Sequence, residues 1–115
     1  MRYKGIKAKA WEAVKRRTRE KETDCYTCYA PDIQGYNAQA GHYRPVALVG
    51  SNNKWSWDER FIHLQCGRCN GSGQGMAFEY RTHLVNDFGE EAVLEFDLNW
   101  RKVNPVTDWQ EIINR

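Results

Sequence analysis

The chain has 115 residues, a formal net charge of +2 and a hydrophobic fraction of 41%. This length fits one domain, and the short aliphatic runs favour a small core that gains from an added cross-link. No apolar run approaches the roughly 20 residues of a membrane span, and no secretory segment follows Met1. We therefore expect a cytoplasmic protein with no membrane partner.

The first 21 residues carry most of the positive charge. They hold nine Lys or Arg and two Glu, whereas the other 94 residues hold eight Lys or Arg and thirteen Asp or Glu. From Ile6 to about Glu20, strong helix formers predict an amphipathic helix with one narrow apolar stripe. Such a helix can dock through Trp11 and present cations to a polyanion, or it can be a solvated helix end. The cations proposed to contact DNA phosphates are Lys15, Arg16, Arg17 and Arg19.

The middle of the chain is predicted to be turns and short strands. Residues 29–32 form a turn after the first cysteine pair, and residues 35–41 form a loop or an irregular strand. We predict a bent strand from His42 to Val49 that is broken at Pro45. After a turn at residues 50–54, residues 55–65 return towards the second cysteine pair, with three probable core contacts at Phe61, Ile62 and Leu64.

Helices are predicted for most of the remaining chain. Residues 70–75 are glycine-rich but lack the Lys-Ser/Thr ending of a phosphate-binding loop. Helices are expected at 76–86, 90–99 and 106–114. The residues predicted to pack are Phe78, Leu84, Val85, Val93, Leu94, Phe96, Leu98, Trp109, Ile112 and Ile113.

All four cysteines lie in two Cys-x-x-Cys pairs of identical spacing, Cys25 with Cys28 and Cys66 with Cys69. Two such turns can complete a tetrahedral Zn²⁺ site. Two disulfides or an iron site are the alternatives. A four-cysteine zinc site leaves no open coordination position, so its role would be structural.

Three histidines are candidates for proton transfer. A neutral imidazole at His42, between the cysteine pairs, could accept a proton from water near neutral pH. A lone histidine is nevertheless a weak signal, and a non-catalytic role is the simpler interpretation. His83 lies within a predicted helix and is expected to be a packing or surface residue.

Several short motifs follow one another along the chain. They are Lys9-Ala10-Trp11, Arg17-x-Arg19, Cys25-x-x-Cys28, Ala40-Gly41-His42-Tyr43, Ile62-His63-x-Gln65-Cys66-x-x-Cys69-Asn70, Tyr80-Arg81-x-x-Leu84 and Phe88-Gly89-Glu90-Glu91. This series resembles the zinc-bearing HNH, or ββα-metal, nucleases and, more closely, the NinG (Rap) recombination endonucleases of lambdoid phages. The segment from Cys69 to Met76 is also similar to the phage endonuclease VII resolvases.

The resemblance implies an α+β fold with a zinc-stapled ββα-metal (HNH-like) core in a single domain, 1–115. Residues 1–22 would form the basic helix, 23–86 the nuclease core and 87–115 a C-terminal helical extension. The implied activity is Mg²⁺- or Mn²⁺-dependent hydrolysis of branched DNA, such as Holliday junctions and D-loops, in the cytoplasm of an infected host cell. In this comparison His42 is the general base, and Asn70 binds the catalytic metal.

Two positions depart from the HNH pattern. Gly41 stands where most HNH sites have an aspartate ligand, and Phe61 stands where an asparagine is expected. His63 could replace the missing ligand or orient the phosphate, or it could be a strand residue that faces solvent. A carboxylate could also come from elsewhere, the candidates being Asp32, Asp58 and Glu79.

Further DNA contacts are expected from Arg44 and Arg68. Tyr43, Trp55 and Trp57 could stack on unpaired bases, although packing is the favoured role of the tryptophans. A homodimer is expected because a resolvase must cut two strands, with the helices after residue 76 as the dimer surface. The alternative function, favoured by Gly41 and Phe61, is a catalytically inactive zinc-dependent DNA-binding or adaptor module.

Overall fold

The computed structural model describes residues 3–115 and has a mixed α+β architecture, as the sequence predicts. Residues 1 and 2 of the predicted basic segment lie outside the described residues. The helices and strands of this range are α1 (Gly5–Lys21), β1 (Gln39–His42), α2 (Val46–Val49), β2 (Ile62–Gln65), α3 (Gly67–Asn70), α4 (Ala77–Phe88), α5 (Glu90–Asn99) and α6 (Trp109–Asn114). None of the helices within this range is long and apolar enough to cross a membrane.

The basic helix α1 forms as predicted and is an integral part of the core. Its alanine-rich stripe buries Ala10, Ala13 and Val14. Small side chains at these positions allow close approach to α6 and to the sheet. The resulting cluster joins both ends of the chain and contains Ala10, Val14, Trp57, Ile62 and Ile112.

The bent strand predicted at residues 42–49 is wrong. Strand β1 ends at His42, where the predicted strand begins, and Val46–Val49 is one turn of helix. Pro45 explains the break, since its fixed φ and missing N–H disfavour a strand interior and suit the start of a helix. Strand β1 pairs antiparallel with β2, so that Gly41 lies opposite His63 and Gln39 lies opposite Gln65.

An aromatic cluster packs α4 and α5 against the sheet. Tyr80 and Phe96 are almost fully buried. The Tyr80 hydroxyl donates a hydrogen bond of 2.6 Å to the carbonyl of Gly41. Phe61 lies 4.4 Å from Phe96 between ring centroids. The Tyr80 contact fixes the backbone of β1 at the point where Gly41 precedes His42.

Several packing predictions for these helices are wrong. Phe78 is 82% exposed, Leu98 is 68% exposed and Leu94 is 45% exposed. The buried positions of α5 are Val93 and Phe96, three residues apart, so the two leucines face away from the sheet. Tyr80 takes the buried position that was expected for Phe78. The predicted burial of Leu84, Val93, Phe96 and Ile112 is confirmed.

Candidate active site and metal centre

The four cysteine sulfurs converge, with every sulfur within 4.8 Å of the others. The Cys28 and Cys66 sulfurs are 3.8 Å apart, and the backbone N–H of Cys66 donates to the Cys25 sulfur at 3.3 Å. The cluster ties the loop before β1 to the junction between β2 and α3. Four soft thiolate ligands in this arrangement can bind a metal such as zinc.

The electrostatics of the sulfurs fit a cation. Burial raises the pKa of Cys25, but hydrogen bonds from the Cys66 backbone and the Thr27 side chain outweigh it and lower the pKa to about 6. Burial raises the pKa of the Cys69 thiol to about 12. Neighbouring thiols resist ionising together, and a coordinated cation removes that resistance because bound thiols lose their protons.

His42 ends β1 beside an open cleft of about 490 Å³. Its Nε2 lies 2.8 Å from the carbonyl oxygen of Ser56. A carbonyl only accepts, so Nε2 carries the proton and Nδ1 is left as the basic nitrogen. Burial lowers the pKa of His42 to about 4, against a smaller opposing effect of the Ser56 hydrogen bond. Trp11 of α1 stacks on the imidazole at 5.4 Å between ring centroids.

Asn70 lines the same cleft, together with Gln74 and Gly75. It is the last residue of α3, and the cysteine pair immediately before it belongs to the cluster. Its Nδ2 donates to Gln39 Oε1 at 2.9 Å, and Gln39 Nε2 donates to the carbonyl of Tyr36 at 2.9 Å. The structure therefore brings together His42 and Asn70, the two residues that the resemblance singled out.

Gly41 leaves a space that the side chain of Gln65 occupies. A Cβ at position 41 would lie 1.8 Å from Gln65 Oε1 and 2.9 Å from Asn70 Oδ1. Gln65 is fully buried, and its Oε1 has no hydrogen-bond partner in the described part of the chain. Two carboxamide oxygens, which are hard ligands that Mg²⁺ accepts, thus approach one point. The two oxygens suit a divalent cation in their chemistry; Asn70 lines the cleft, whereas Gln65 is fully buried and is not part of the cleft lining.

The carboxylates proposed as further metal ligands do not line the cleft. Among the described residues, its lining contains no Asp or Glu. Asp32 lies in a different groove with Arg19 and Glu22, and Asp58 pairs with Arg60 at 2.6 Å. Glu79 lies in the first turn of α4 and outside the cleft lining. The position of the expected asparagine, Phe61, is part of the aromatic core.

His63 lies outside this cleft. Its Nδ1 is 2.6 Å from Glu22 Oε2, its Nε2 is 2.7 Å from the carbonyl of Arg60, and its ring stacks on Tyr26 at 3.8 Å. The alternative that it is a strand residue facing solvent is wrong, since it is buried. With both nitrogens engaged, His63 links β2 to the end of α1. His83 likewise packs, against Tyr29.

Some of the cations predicted to contact phosphates are exposed, and others contact groups of the protein itself. Arg16 and Arg68 are exposed. Lys15 lies 6.0 Å above the Trp11 ring and pairs with Glu12 at 2.6 Å, and Arg19 donates to the carbonyl of Ala38 at 3.2 Å. Arg44 Nη2 approaches Asp97 at 3.8 Å. These five side chains lie on the surface or near it.

Arg17 is instead a structural residue. Its guanidinium binds both carboxylate oxygens of Glu59, at 2.9 and 3.0 Å, and the carbonyls of Ile112 and Ile113. Its side chain is only 13% exposed. The Arg17 guanidinium is therefore engaged within the protein and is not part of the candidate DNA surface.

Sequence reasoning missed the polar residues that orient the site, Gln39, Ser56 and Gln65. Gln65 lies in a strand whose four residues are all buried, which is a property of the structure and not of the sequence. The packing preference stated for Trp57 is confirmed, since it is 2% exposed. Tyr43 is equally buried, which removes it from the candidates for base stacking.

Comparisons with known proteins identify the family of this chain. Residues 2–115 match the family model described as Bacteriophage Lambda NinG protein. Protein ninG of Enterobacteria phage H19B is 36% identical over 90 residues, which are 78% of this chain and 43% of that protein. Protein ninG of Escherichia phage lambda is 34% identical over 83 residues, or 72% and 38% of the two chains.

Protein ninG of Salmonella phage P22 is 32% identical over 86 residues, 75% of this chain and 40% of that protein. The chain thus spans about two-fifths of the length of these curated relatives. No solved structure matches it. The match to the family model extends over nearly the whole sequence, so the chain belongs to the NinG protein family of lambdoid bacteriophages.

Proposed function

We propose that this chain is a structure-specific, Mg²⁺- or Mn²⁺-dependent DNA endonuclease that cuts branched recombination intermediates such as Holliday junctions and D-loops. The main support is that His42 and Asn70 line one cleft beside the four-cysteine cluster. The order of strand, strand and helix around that cluster is consistent with a ββα-metal core. Zn²⁺ in the cluster would be structural and would hold α3, and therefore Asn70, against the sheet.

His42 is assigned the role of general base. With a pKa of about 4 its imidazole is neutral at pH 7, and Nδ1 can take the proton of the attacking water. A base of low pKa is a weak base, but phosphate groups bound nearby would raise that pKa, because an opposite charge favours the imidazolium. The Ser56 carbonyl and the Trp11 ring hold the imidazole in place.

Asn70 is assigned the role of metal ligand through Oδ1. When bound, the divalent cation supplies positive charge to the phosphate oxygens and to the leaving 3′ oxygen. Gln39 accepts from Asn70 Nδ2 and so keeps the Asn70 amide in the orientation that leaves Oδ1 available to coordinate the cation. The chain thereby positions an acceptor for the cation and a base for the water in one cleft.

The proposed DNA surface uses the cations that remain exposed or near the surface: Lys15, Arg16, Arg19, Arg44 and Arg68. Lys15 is linked to the cleft through Trp11, which contacts both Lys15 and His42. Guanidinium groups suit phosphate because their planar fork can bind two oxygens. DNA bound along α1 would reach the cleft over Trp11.

We propose a homodimer as the cutting species, since two strands must be cut at a junction. The exposed Leu94 and Leu98, four residues apart on α5, provide an apolar face for it. A measured mass of the protein–junction complex that corresponds to two chains per junction supports this assembly. One chain per junction, combined with cutting of both strands, contradicts it.

The second candidate is a zinc-dependent DNA-binding or adaptor module without catalysis. The absence of carboxylates from the cleft lining among the described residues favours it, since most Mg²⁺ sites in proteins include a carboxylate. It predicts DNA binding that is independent of His42.

Cleavage of a labelled four-way junction tests the proposal. Wild-type protein with Zn²⁺ bound is incubated with Mg²⁺ or Mn²⁺, beside His42→Ala and, as a matched control, His83→Ala. We expect His42→Ala to lose at least about a hundredfold in rate, the usual contribution of a general base, and His83→Ala to retain activity. Both variants are checked for fold by circular dichroism and for zinc content.

Binding of the junction without metal-dependent cleavage would reject the nuclease and favour the adaptor. If His42→Ala cleaves as fast as wild type, His42 is not the base. Equal losses in the two histidine variants would indicate a general loss of fold and would remove the support for a specific role of His42.

A further inference from the structure

The carboxamide of Gln65 is fixed so that its oxygen points at Gly41. Gln65 Nε2 donates to the carbonyl of Gly75 at 2.9 Å and to Thr27 Oγ1 at 3.1 Å. The Gly75 carbonyl can only accept, so the nitrogen must occupy this side of the amide. Oε1 is therefore on the other side, buried and without a partner among the described residues.

The carboxamide of Asn70 is fixed by a second, independent chain of hydrogen bonds. The carbonyl of Tyr36 accepts from Gln39 Nε2, so Gln39 must present Oε1 to Asn70. Asn70 must then donate through Nδ2, and its Oδ1 points to the same place beside Gly41. Two separate sets of hydrogen bonds, each ending on a backbone carbonyl, thus fix the two amides so that both oxygens face the same place beside Gly41.

Two acceptors aimed at one point do not stabilise one another, and neither can donate to the other. A buried acceptor without a partner destabilises the fold, and a cation between the two oxygens would satisfy both of them. Gly41 makes the arrangement possible, because any side chain there would collide with Gln65 Oε1. Gln65 therefore fills the volume that the side chain at position 41 would otherwise fill.

We propose that Gln65 Oε1 and Asn70 Oδ1 together bind the divalent cation, with Gln65 taking the place of the acidic ligand that Gly41 cannot supply. This inference rests on the proposed nuclease function and extends its site by one ligand. Both ligands are neutral, so the compensating negative charge must come from the phosphates of the bound DNA. Metal and DNA consequently bind with positive coupling, each weakly without the other.

Metal binding measured apart from cleavage tests this ligand pair. Mn²⁺ affinity is determined by electron paramagnetic resonance with and without a linear duplex. For wild type we expect weak binding that tightens at least tenfold when duplex is added. For Gln65→Glu, which places a carboxylate at the same point, we expect at least tenfold tighter binding without DNA and a smaller effect of duplex. Gln110→Glu adds the same charge on α6 and should behave as wild type.

Gln65→Glu loses the donor to Gly75, so a second measurement uses the wild-type chain. Mg²⁺ is titrated in the presence of duplex while the side-chain carboxamide carbons are followed by NMR. The Gln65 and Asn70 signals should move with one common midpoint, and the Gln110 signal should not move. Movement of Asn70 alone, or of neither residue, overturns the proposal.

The two hypotheses fail separately. If the junction is cleaved but the Gln65 signal is unmoved, the nuclease assignment stands and the role of Gln65 is wrong. If both carboxamide signals move but no junction is cleaved, the metal site stands and the nuclease assignment is wrong.

Discussion

His42 shows how the fold sets the protonation of one residue. A solvated imidazole has a pKa near 6.5, whereas burial lowers the pKa of His42 to about 4, against the smaller opposing effect of the Ser56 hydrogen bond. The neutral form is therefore secured over the whole physiological range. The consequence for stability can be measured without any assumption about catalysis.

Acid should destabilise the fold through His42. Between pH 6.5 and 4 the unfolded chain binds a proton at this residue and the folded chain does not, so the unfolding free energy falls as the pH falls. From pH 7.5 to 5.5 the expected loss is about 1 kcal/mol relative to His42→Gln, which cannot titrate. Urea unfolding of both proteins with Zn²⁺ present measures the difference, and zinc release at low pH affects both.

Between pH 7.5 and 8.5 the difference in unfolding free energy between wild type and His42→Gln should stay constant, because His42 is neutral in the folded and the unfolded state there. A constant difference down to pH 5.5 would mean that the folded pKa is not lowered.

At the scale of elements, α1 has two roles that its charge pattern does not separate. Arg17 ties α1 to α6 and to Glu59, while Arg16, one residue away, is exposed. Burial raises the pKa of Glu59, but hydrogen bonds from Arg17 and Arg115 outweigh it and leave the pKa below its usual value. The ion pair is thus part of the core that joins the two ends of the chain.

Replacing these neighbouring arginines should give opposite results. Arg17→Ala should lower the unfolding free energy by about 2–4 kcal/mol, since it removes one partner of a largely buried pair. Arg16→Ala should change it by less than about 0.5 kcal/mol but reduce the salt dependence of DNA binding by about one charge. Denaturant unfolding and salt titrations of binding separate the two effects. Equal stability of both variants would refute the structural role of Arg17.

At the scale of the whole molecule, the cysteine cluster connects parts of the fold that lie far apart in the sequence. It joins the loop at Cys25, the end of β2 and the start of α3, and the cluster is enclosed by Ile33, Ala38 and Leu64. Because α3 ends at Asn70, the candidate active site depends on the same cross-link.

Removal of the metal should therefore unfold the molecule rather than merely inactivate it. A structural zinc site typically contributes on the order of 10 kcal/mol, more than the usual stability of a small domain. Chelation should abolish the cooperative melting transition followed by circular dichroism. Zn²⁺ should restore it and Mg²⁺ should not. A melting curve unchanged by chelation would exclude a structural metal.

Much of this arrangement follows from local sequence signals. The helix formers of α1 and the Gly89 stop between α4 and α5 act through neighbours within a few residues, so the helices they predict are found in the structure. The two Cys-x-x-Cys spacings are local signals as well, and the four-cysteine cluster that they predict is present. Pro45 also acts locally, and its effect as a helix start rather than a kink in a strand was misjudged.

The identity of the candidate ligands depended on contacts distant in sequence. Only the tertiary structure shows that Gln65 fills the space at Gly41, that His63 is engaged by Glu22, and that Arg17 reaches Glu59. Each of these contacts spans more than twenty residues, and side-chain type and periodicity do not determine such partners. The sequence by itself determined which residues could do chemistry here, and the tertiary packing decided which of them share one cleft.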